Sequence, residues 1–108
     1  MAMVRMSLQS MGTGKQLIVR GTQTDAVRAA ENFRAVLQEK FSPARRALHT
    51  TYNPARPSFF KPSVTPTPQG AEMSFKRPPL IDQQTFEEVV EAAVERFRAC
   101  FPTPLFVS

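Results

Sequence analysis

The sequence contains few of the residues from which small proteins build covalent or metal-bound cores. Its 108 residues include one cysteine, Cys100, one histidine, His49, and no tryptophan. A single cysteine excludes an internal disulfide framework, and one cysteine with one histidine cannot complete the usual zinc ligand sets. No apolar run approaches the ~18–20 residues of a transmembrane helix, and the first twenty residues lack the apolar region of a secretory signal. We therefore expect no metal, no cofactor and no membrane span.

Residue pairs with catalytic potential are equally scarce. The only cysteine–histidine pair is Cys100 with His49, and Cys100 falls on the apolar face of a helical pattern, where a buried, unreactive thiol is the usual outcome. Residues 12–15 share a Gly-Lys pair with phosphate-binding loops, but Gln9 and Gln16 stand where such a loop needs a glycine and a Ser or Thr. We predict a flexible turn there, no catalytic residues, and a protein that is not an enzyme.

Acidic residues are absent from residues 1–24, in which Arg5, Lys15 and Arg20 are interspersed with Ser and Thr. This composition is typical of mitochondrial targeting segments. The net charge is +5, but residues 1–81 carry twelve Lys and Arg against four Asp and Glu, whereas residues 82–108 carry two against five. Such asymmetry indicates a chain that faces two different surroundings. We expect a mitochondrial protein, with a cytoskeletal or cytoplasmic location as the alternative.

Proline is concentrated in the middle of the chain, with eight of the ten prolines between residues 42 and 81. Each proline fixes φ, lacks an N–H and disfavours helical geometry in the preceding residue. No long helical or alternating apolar pattern fits between them, so we predict a Pro-rich basic strap over residues 43–81. Its apolar residues form short clusters that suit separate pockets on a partner. Residues 54–57 also have the PxxP spacing of a ligand for an aromatic-lined groove.

Two amphipathic helices flank the strap. Apolar residues recur every three or four positions in residues 22–42, which we assign to helix one and end at Ser42-Pro43. A longer stripe and a capping box place helix two, with an acidic outer face, at residues 82–102, with Asp82 or Thr85 as the cap. Residues 1–21 are expected to form an extended docking arm, with a short helix possible over residues 3–10 and a strand at residues 15–20. Residues 103–108 are interpreted as an apolar tail that serves as an anchor or an added edge strand.

These patterns predict a mostly α protein with extensive irregular structure and no independent globular core. Two helices bury little apolar surface, whereas ordering the long strap costs ~1–2 kcal/mol of backbone entropy per residue. We therefore expect the isolated chain to be largely unfolded and a partner to supply the missing contacts. The interpretation is a non-catalytic structural subunit of a mitochondrial complex, such as the respiratory chain, ATP synthase or mitochondrial ribosome. A microtubule inner protein or similar lattice protein is the alternative.

The expected partners are other protein subunits, bound by the large apolar side chains of the strap and of helix two. These residues are Phe59, Phe60, Phe75, Leu80, Phe86, Val90, Val94 and Phe97. The alternative partner is nucleic acid, whose phosphates would meet the basic residues of the strap and whose bases would stack on its rings. Those basic residues are Arg45, Arg46, Arg56, Lys61, Lys76 and Arg77.

Overall fold

The computed structural model describes residues 4–48, 62–77 and 81–107, with the backbone alone for residues 42–48. Its elements are, in order, β1 (Arg5–Met11), β2 (Gly14–Arg20), α1 (Gln23–Leu48), β3 (Ser63–Thr67), β4 (Gly70–Phe75), α2 (Gln83–Cys100) and β5 (Leu105–Val107). The strands form one sheet in the order β3-β4-β2-β1-β5, antiparallel except for the parallel pair of β1 and β5. The prediction of a mostly α chain without a globular core is therefore wrong.

The described residues form two hairpin–helix units, β1-β2-α1 and β3-β4-α2, followed by β5, and the second strands of the two units pair antiparallel within the sheet. Each second strand begins with a glycine, Gly14 in β2 and Gly70 in β4. A Cβ atom at Gly14 would lie 2.5 Å from the carbonyl oxygen of Phe75, and one at Gly70 would collide with that of Val19. Glycine at these two corresponding positions allows the two hairpins to approach each other closely.

A continuous apolar core lies between the sheet and the two helices. In β2 the buried Leu17 and Val19 alternate with less buried residues, as expected for a strand with one covered face. Phe33 of α1 meets Phe97 of α2 edge to face, with ring centroids 5.5 Å apart. Fully burying one such side chain contributes about 1.5–3 kcal/mol, and four phenylalanines are fully buried here. The helices thus bury their apolar stripes within this chain. The sequence led us to expect that a partner would cover these stripes, and this expectation is wrong for the described residues.

The Pro-rich residues 62–77, predicted as part of the extended strap, form the hairpin of β3 and β4 instead. Pro66 is accommodated because β3 is the outermost strand, where a missing N–H is tolerated. The buried residues Ala71, Met73 and Phe75 recur with a period of two, a pattern that the density of prolines conceals. Residues 49–61 of the predicted strap lie outside the described residues.

Two further boundaries differ from the sequence prediction. The helix proposed for residues 3–10 is wrong, because the buried Met6 and Leu8 alternate along strand β1 rather than following a helical period. Helix α1, predicted to end at Ser42-Pro43, extends to Leu48. It continues although Pro43 has no N–H to donate to the carbonyl group four residues before it.

Residues 82–107 are closer to prediction. Helix α2 begins after Asp82, whose side-chain oxygen accepts a hydrogen bond from the Thr85 N–H at 2.6 Å. The tail adds to the sheet edge as β5, as the edge-strand interpretation predicts, and Arg98 of α2 donates to the Leu105 carbonyl at 2.7 Å. Cys100, expected on the buried face, is exposed at the last residue of α2.

Candidate functional site

Both helices pack on one face of the sheet, and the other face forms the candidate site, here called the open face. The helix-covered side of β1 presents the buried Met6 and Leu8, so the alternate residues of that strand project the other way. Strand register extends this alternation to the other strands. The open-face residues are Arg5, Ser7, Gln9, Gln16, Ile18, Arg20, Ser63, Thr65, Thr67, Glu72, Ser74 and Phe106.

The register aligns these side chains in three rows that cross the strands. The basic row contains Arg5, Arg20 and Thr67. The middle row contains Phe106, Ser7, Ile18, Glu72 and Thr65. The amide row contains Gln9, Gln16, Ser74 and Ser63. Neighbouring rows are two strand residues apart, or about 6.4–6.8 Å.

Two arginines lie directly opposite each other in the basic row. Arg5 of β1 is the register partner of Arg20 of β2, and both are exposed. Neither side chain has an ion pair or hydrogen bond with any residue that the structure describes. Like charges directly opposite on neighbouring strands destabilise the pairing. Glu72 is the only acidic residue among the described strand residues, and it lies in the middle row on β4. The basic row is therefore available to an anionic partner.

The middle row contributes an aromatic ring. Phe106 of β5 is 60% exposed, an unusual position for so large an apolar side chain. Its register partner on β1 is Ser7, which is followed on β2 by the partly buried Ile18. Together with both arginines these residues line a depression of about 340 Å³. The exposed ring at the border of this depression can stack against a planar group.

The amide row carries a side-chain hydrogen bond across β1 and β2. The Gln9 Nε2 group donates to Gln16 Oε1 at 3.0 Å. An amide side chain has both donor and acceptor capacity, so the side-chain carbonyl oxygen of Gln9 and the amino group of Gln16 remain for an external partner. The row thus offers a donor and an acceptor on the same face as the ring.

A second depression, of about 300 Å³, lies between α2 and strand β1 on the covered side. Its boundary includes an ion pair in which Lys15 Nζ lies 2.7 Å from Glu87 Oε2 and also donates to Ser10 Oγ at 3.0 Å. The hydrogen bond from Lys15 holds the pKa of Glu87 below its ordinary value. The Lys15 side chain thus links β2 to α2. The turn predicted for residues 12–15 is formed by Gly12 and Thr13, whereas Gly14 and Lys15 begin strand β2.

The structure locates part of the predicted partner-binding set. Phe75, Phe86, Val90, Val94 and Phe97 are brought together in the core, where the rings of Phe75 and Phe86 lie 6.1 Å apart. Val90, Val94 and Phe97 are buried within this chain, and the contact of the set with a partner stays a prediction. Phe59, Phe60 and Leu80 lie outside the described residues.

The basic residues of the predicted strap are also only partly described. Lys76 and Arg77 are exposed, and Arg77 donates to the Ile81 carbonyl oxygen. Arg45 and Arg46 lie in the part of α1 described by its backbone alone, and residues 56 and 61 lie outside the described ranges. His49, the partner considered for Cys100, lies outside them as well.

Sequence reasoning misses the open face because it does not predict the sheet. The alternation of polar and apolar residues at positions 5–9 is a pattern that could identify strand β1, whereas the three consecutive apolar residues at positions 17–19 do not show which face of β2 is open. Without pairing partners for these strands, Arg5, Arg20 and Phe106 cannot be brought together from sequence alone.

No family model, curated protein or solved structure matches this chain. Across the described residues, neither helix is long and apolar enough to cross a membrane. In the same ranges no group of three His, Cys, Asp or Glu side chains is placed to hold a metal ion. The candidate site is therefore argued from the geometry and chemistry of the open face.

Proposed function

We propose that this protein is a non-catalytic subunit of a larger assembly and that it joins the assembly through the open face. The feature that supports this proposal is the pair of arginines, Arg5 and Arg20, beside the exposed ring of Phe106. A partner would stabilise each of these groups, because the two like charges repel each other and the ring is exposed to water.

A mitochondrial location is part of the proposal, and its support is the acid-free composition of residues 1–24. The described part of this segment includes β1 and β2, whose side chains make up half of the open face, the two arginines among them. Arg5 and Arg20 therefore belong both to the basic, acid-free segment and to the basic row. The assembly is accordingly expected among mitochondrial multi-subunit complexes, including the mitochondrial ribosome.

Sedimentation of the full chain in an extract of cells that express it tests this function. The tagged wild-type chain should migrate with a large complex in a density gradient. Arg5→Glu/Arg20→Glu should release it to the position of the free protein, because the variant reverses the charge of the basic row. Arg28→Glu/Arg96→Glu is the matched control, since both of those arginines are exposed on the helices and the net charge changes equally.

If both double variants are released from the complex to the same extent, net charge rather than the open face governs association. Migration of the wild-type chain as free protein would contradict the assembly proposal itself. Circular dichroism of each purified variant checks that the fold is retained.

A further inference from the structure

We infer that the open face binds single-stranded nucleic acid, an inference that rests on the proposed function and names the partner of the same face. The three rows supply side by side the contacts that such a strand makes. Arginines meet phosphates, an exposed aromatic ring stacks on a base, and amide groups reach base edges.

The basic row provides the phosphate contact. A guanidinium is planar and can donate two parallel hydrogen bonds to a phosphate group. Arg5 and Arg20 are register partners with no ion pair among the described residues, so a phosphate between them would relieve their mutual repulsion. Glu72, the one acidic residue of the described strands, has Ile18 rather than either arginine as its partner on β2.

The middle and amide rows favour a nucleic acid over an acidic protein. Protein interfaces concentrate apolar side chains at a centre depleted of charge, whereas here Phe106 and Ile18 lie between cations and amides. The depression of about 340 Å³ is lined by the Phe106 ring and both arginines. An aromatic ring adjacent to cations is the arrangement in which bases stack while the backbone is neutralised.

The shape of the face favours a single strand over a duplex. Duplex DNA is read by a helix or a two-stranded ribbon that enters the major groove, and the open face presents neither across its described strands. Stacking on Phe106 requires a base that is not already stacked in a duplex. A sheet face with one ring and nearby amides therefore suits unpaired nucleotides.

Fluorescence anisotropy with the full chain tests the stacking contact. The probes are 5′-fluorescein-labelled U15 RNA and dT15 DNA, with an RNA duplex of equal length for comparison. The wild-type chain should bind one or both single strands more tightly than the duplex. Phe106→Leu keeps an apolar side chain but removes the ring, and should weaken binding at least about fivefold. Phe106→Tyr keeps the ring and should bind like the wild-type chain.

A salt titration tests the phosphate contacts. Arg5→Ala/Arg20→Ala should reduce the slope of log affinity against log salt by about one for each arginine. Arg28→Ala/Arg96→Ala changes the net charge equally on the helical layer and should leave the slope near that of the wild-type chain. Comparison of U15 with dT15 reports whether RNA or DNA is preferred.

Three results would overturn the inference. They are no binding of U15 or dT15 at the lowest salt, wild-type affinity in Phe106→Leu, or an equal reduction of the salt-dependence slope in the two double variants. The sedimentation experiment distinguishes failure of this inference from failure of the proposed function. If open-face variants release the chain from a nuclease-resistant complex and neither oligonucleotide binds, the partner is a protein and the proposed function stands. If the oligonucleotides bind through the face but the chain sediments alone, the nucleic-acid site stands without the assembly.

Discussion

At the scale of single residues, the ion pair between Lys15 and Glu87 has unequal members. The side chain of Lys15 is 9% exposed, whereas that of Glu87 is 46% exposed. Removing the charge of Glu87 would leave a buried ammonium with Ser10 as its remaining hydrogen-bond partner among the described residues, whereas removing Lys15 returns an exposed carboxylate to water. The pair therefore stabilises a lysine that the hairpin would otherwise have to bury alone.

We predict that Glu87→Gln lowers the free energy of unfolding by about 1 kcal/mol at neutral pH, a value reduced by the exposure of the carboxylate. The contribution also depends on pH. Because the folded state holds the pKa of Glu87 below its ordinary value, the stabilisation is present above pH 4.5 and is lost as the pH falls through the folded-state pKa. Glu87→Gln should remove this part of the acid dependence, as measured by urea unfolding between about pH 3 and 7, where carboxyl groups titrate.

The control for this prediction is a double-mutant cycle. In a Lys15→Met background, Glu87→Gln should have almost no effect, because the cationic partner of the carboxylate is gone and a glutamine oxygen can still accept the hydrogen bond from Gln83. Glu91→Gln, an exposed acid on the same helix, should be nearly silent. Equal effects of Glu87→Gln in the two backgrounds would contradict a direct interaction.

At the scale of elements, the central strand β2 and the turn before it depend on glycine for two different reasons. The φ of Gly14 is not positive, so only the approach of the Phe75 carbonyl restricts its replacement. Gly12, in the turn, has φ of +60°, but no atom lies within 4 Å of the place that a Cβ atom would take. The backbone conformation alone therefore restricts Gly12, whereas close packing restricts Gly14.

We predict that this difference appears on substitution by asparagine. Gly12→Asn should be tolerated, since asparagine adopts left-handed geometry more readily than most residues. Gly14→Asn and Gly14→Ala should each lower the free energy of unfolding by about 1–3 kcal/mol, because the added atoms displace the backbone of β4. Thermal unfolding of the purified variants measures both effects. A fully stable Gly14→Ala protein would show that β2 and β4 can separate without cost.

The elements also show what the sequence predicts and what it does not. Helix α2 is recognisable because its cap, apolar stripe and terminal proline all indicate one structure. Strand β4 is not, because the prolines within and beside the neighbouring β3 hide its alternation. A proline on an edge strand has little effect on a sheet, but the edge is known only once the strand order is known. The open face is not predictable for the same reason. Arg5 and Phe106 lie far apart in the sequence and are brought together only by strand pairing.

At the scale of the whole molecule, the two hairpin–helix units share one core. Phe33 and Phe41 of the first unit contact Phe97 and Phe86 of the second, with centroid distances of 5.5 and 5.9 Å. The central pair of strands joins the same two units. Neither unit can lose its packing without exposing the apolar face of the other, which predicts that both unfold together.

We therefore predict that the isolated full chain unfolds in a single cooperative transition, contrary to what its sequence alone suggests. Far-ultraviolet circular dichroism and hydrogen exchange of α1, α2 and β2 amides should report one common stability. Phe97→Ala should lower the free energy of unfolding by about 3–5 kcal/mol and shift all probes equally, since the cavity lies between the units. Glu88→Ala, on the exposed side of α2, serves as the control and should shift none of them. Loss of α2 protection alone in Phe97→Ala would mean that the second unit unfolds separately and that the core is not shared.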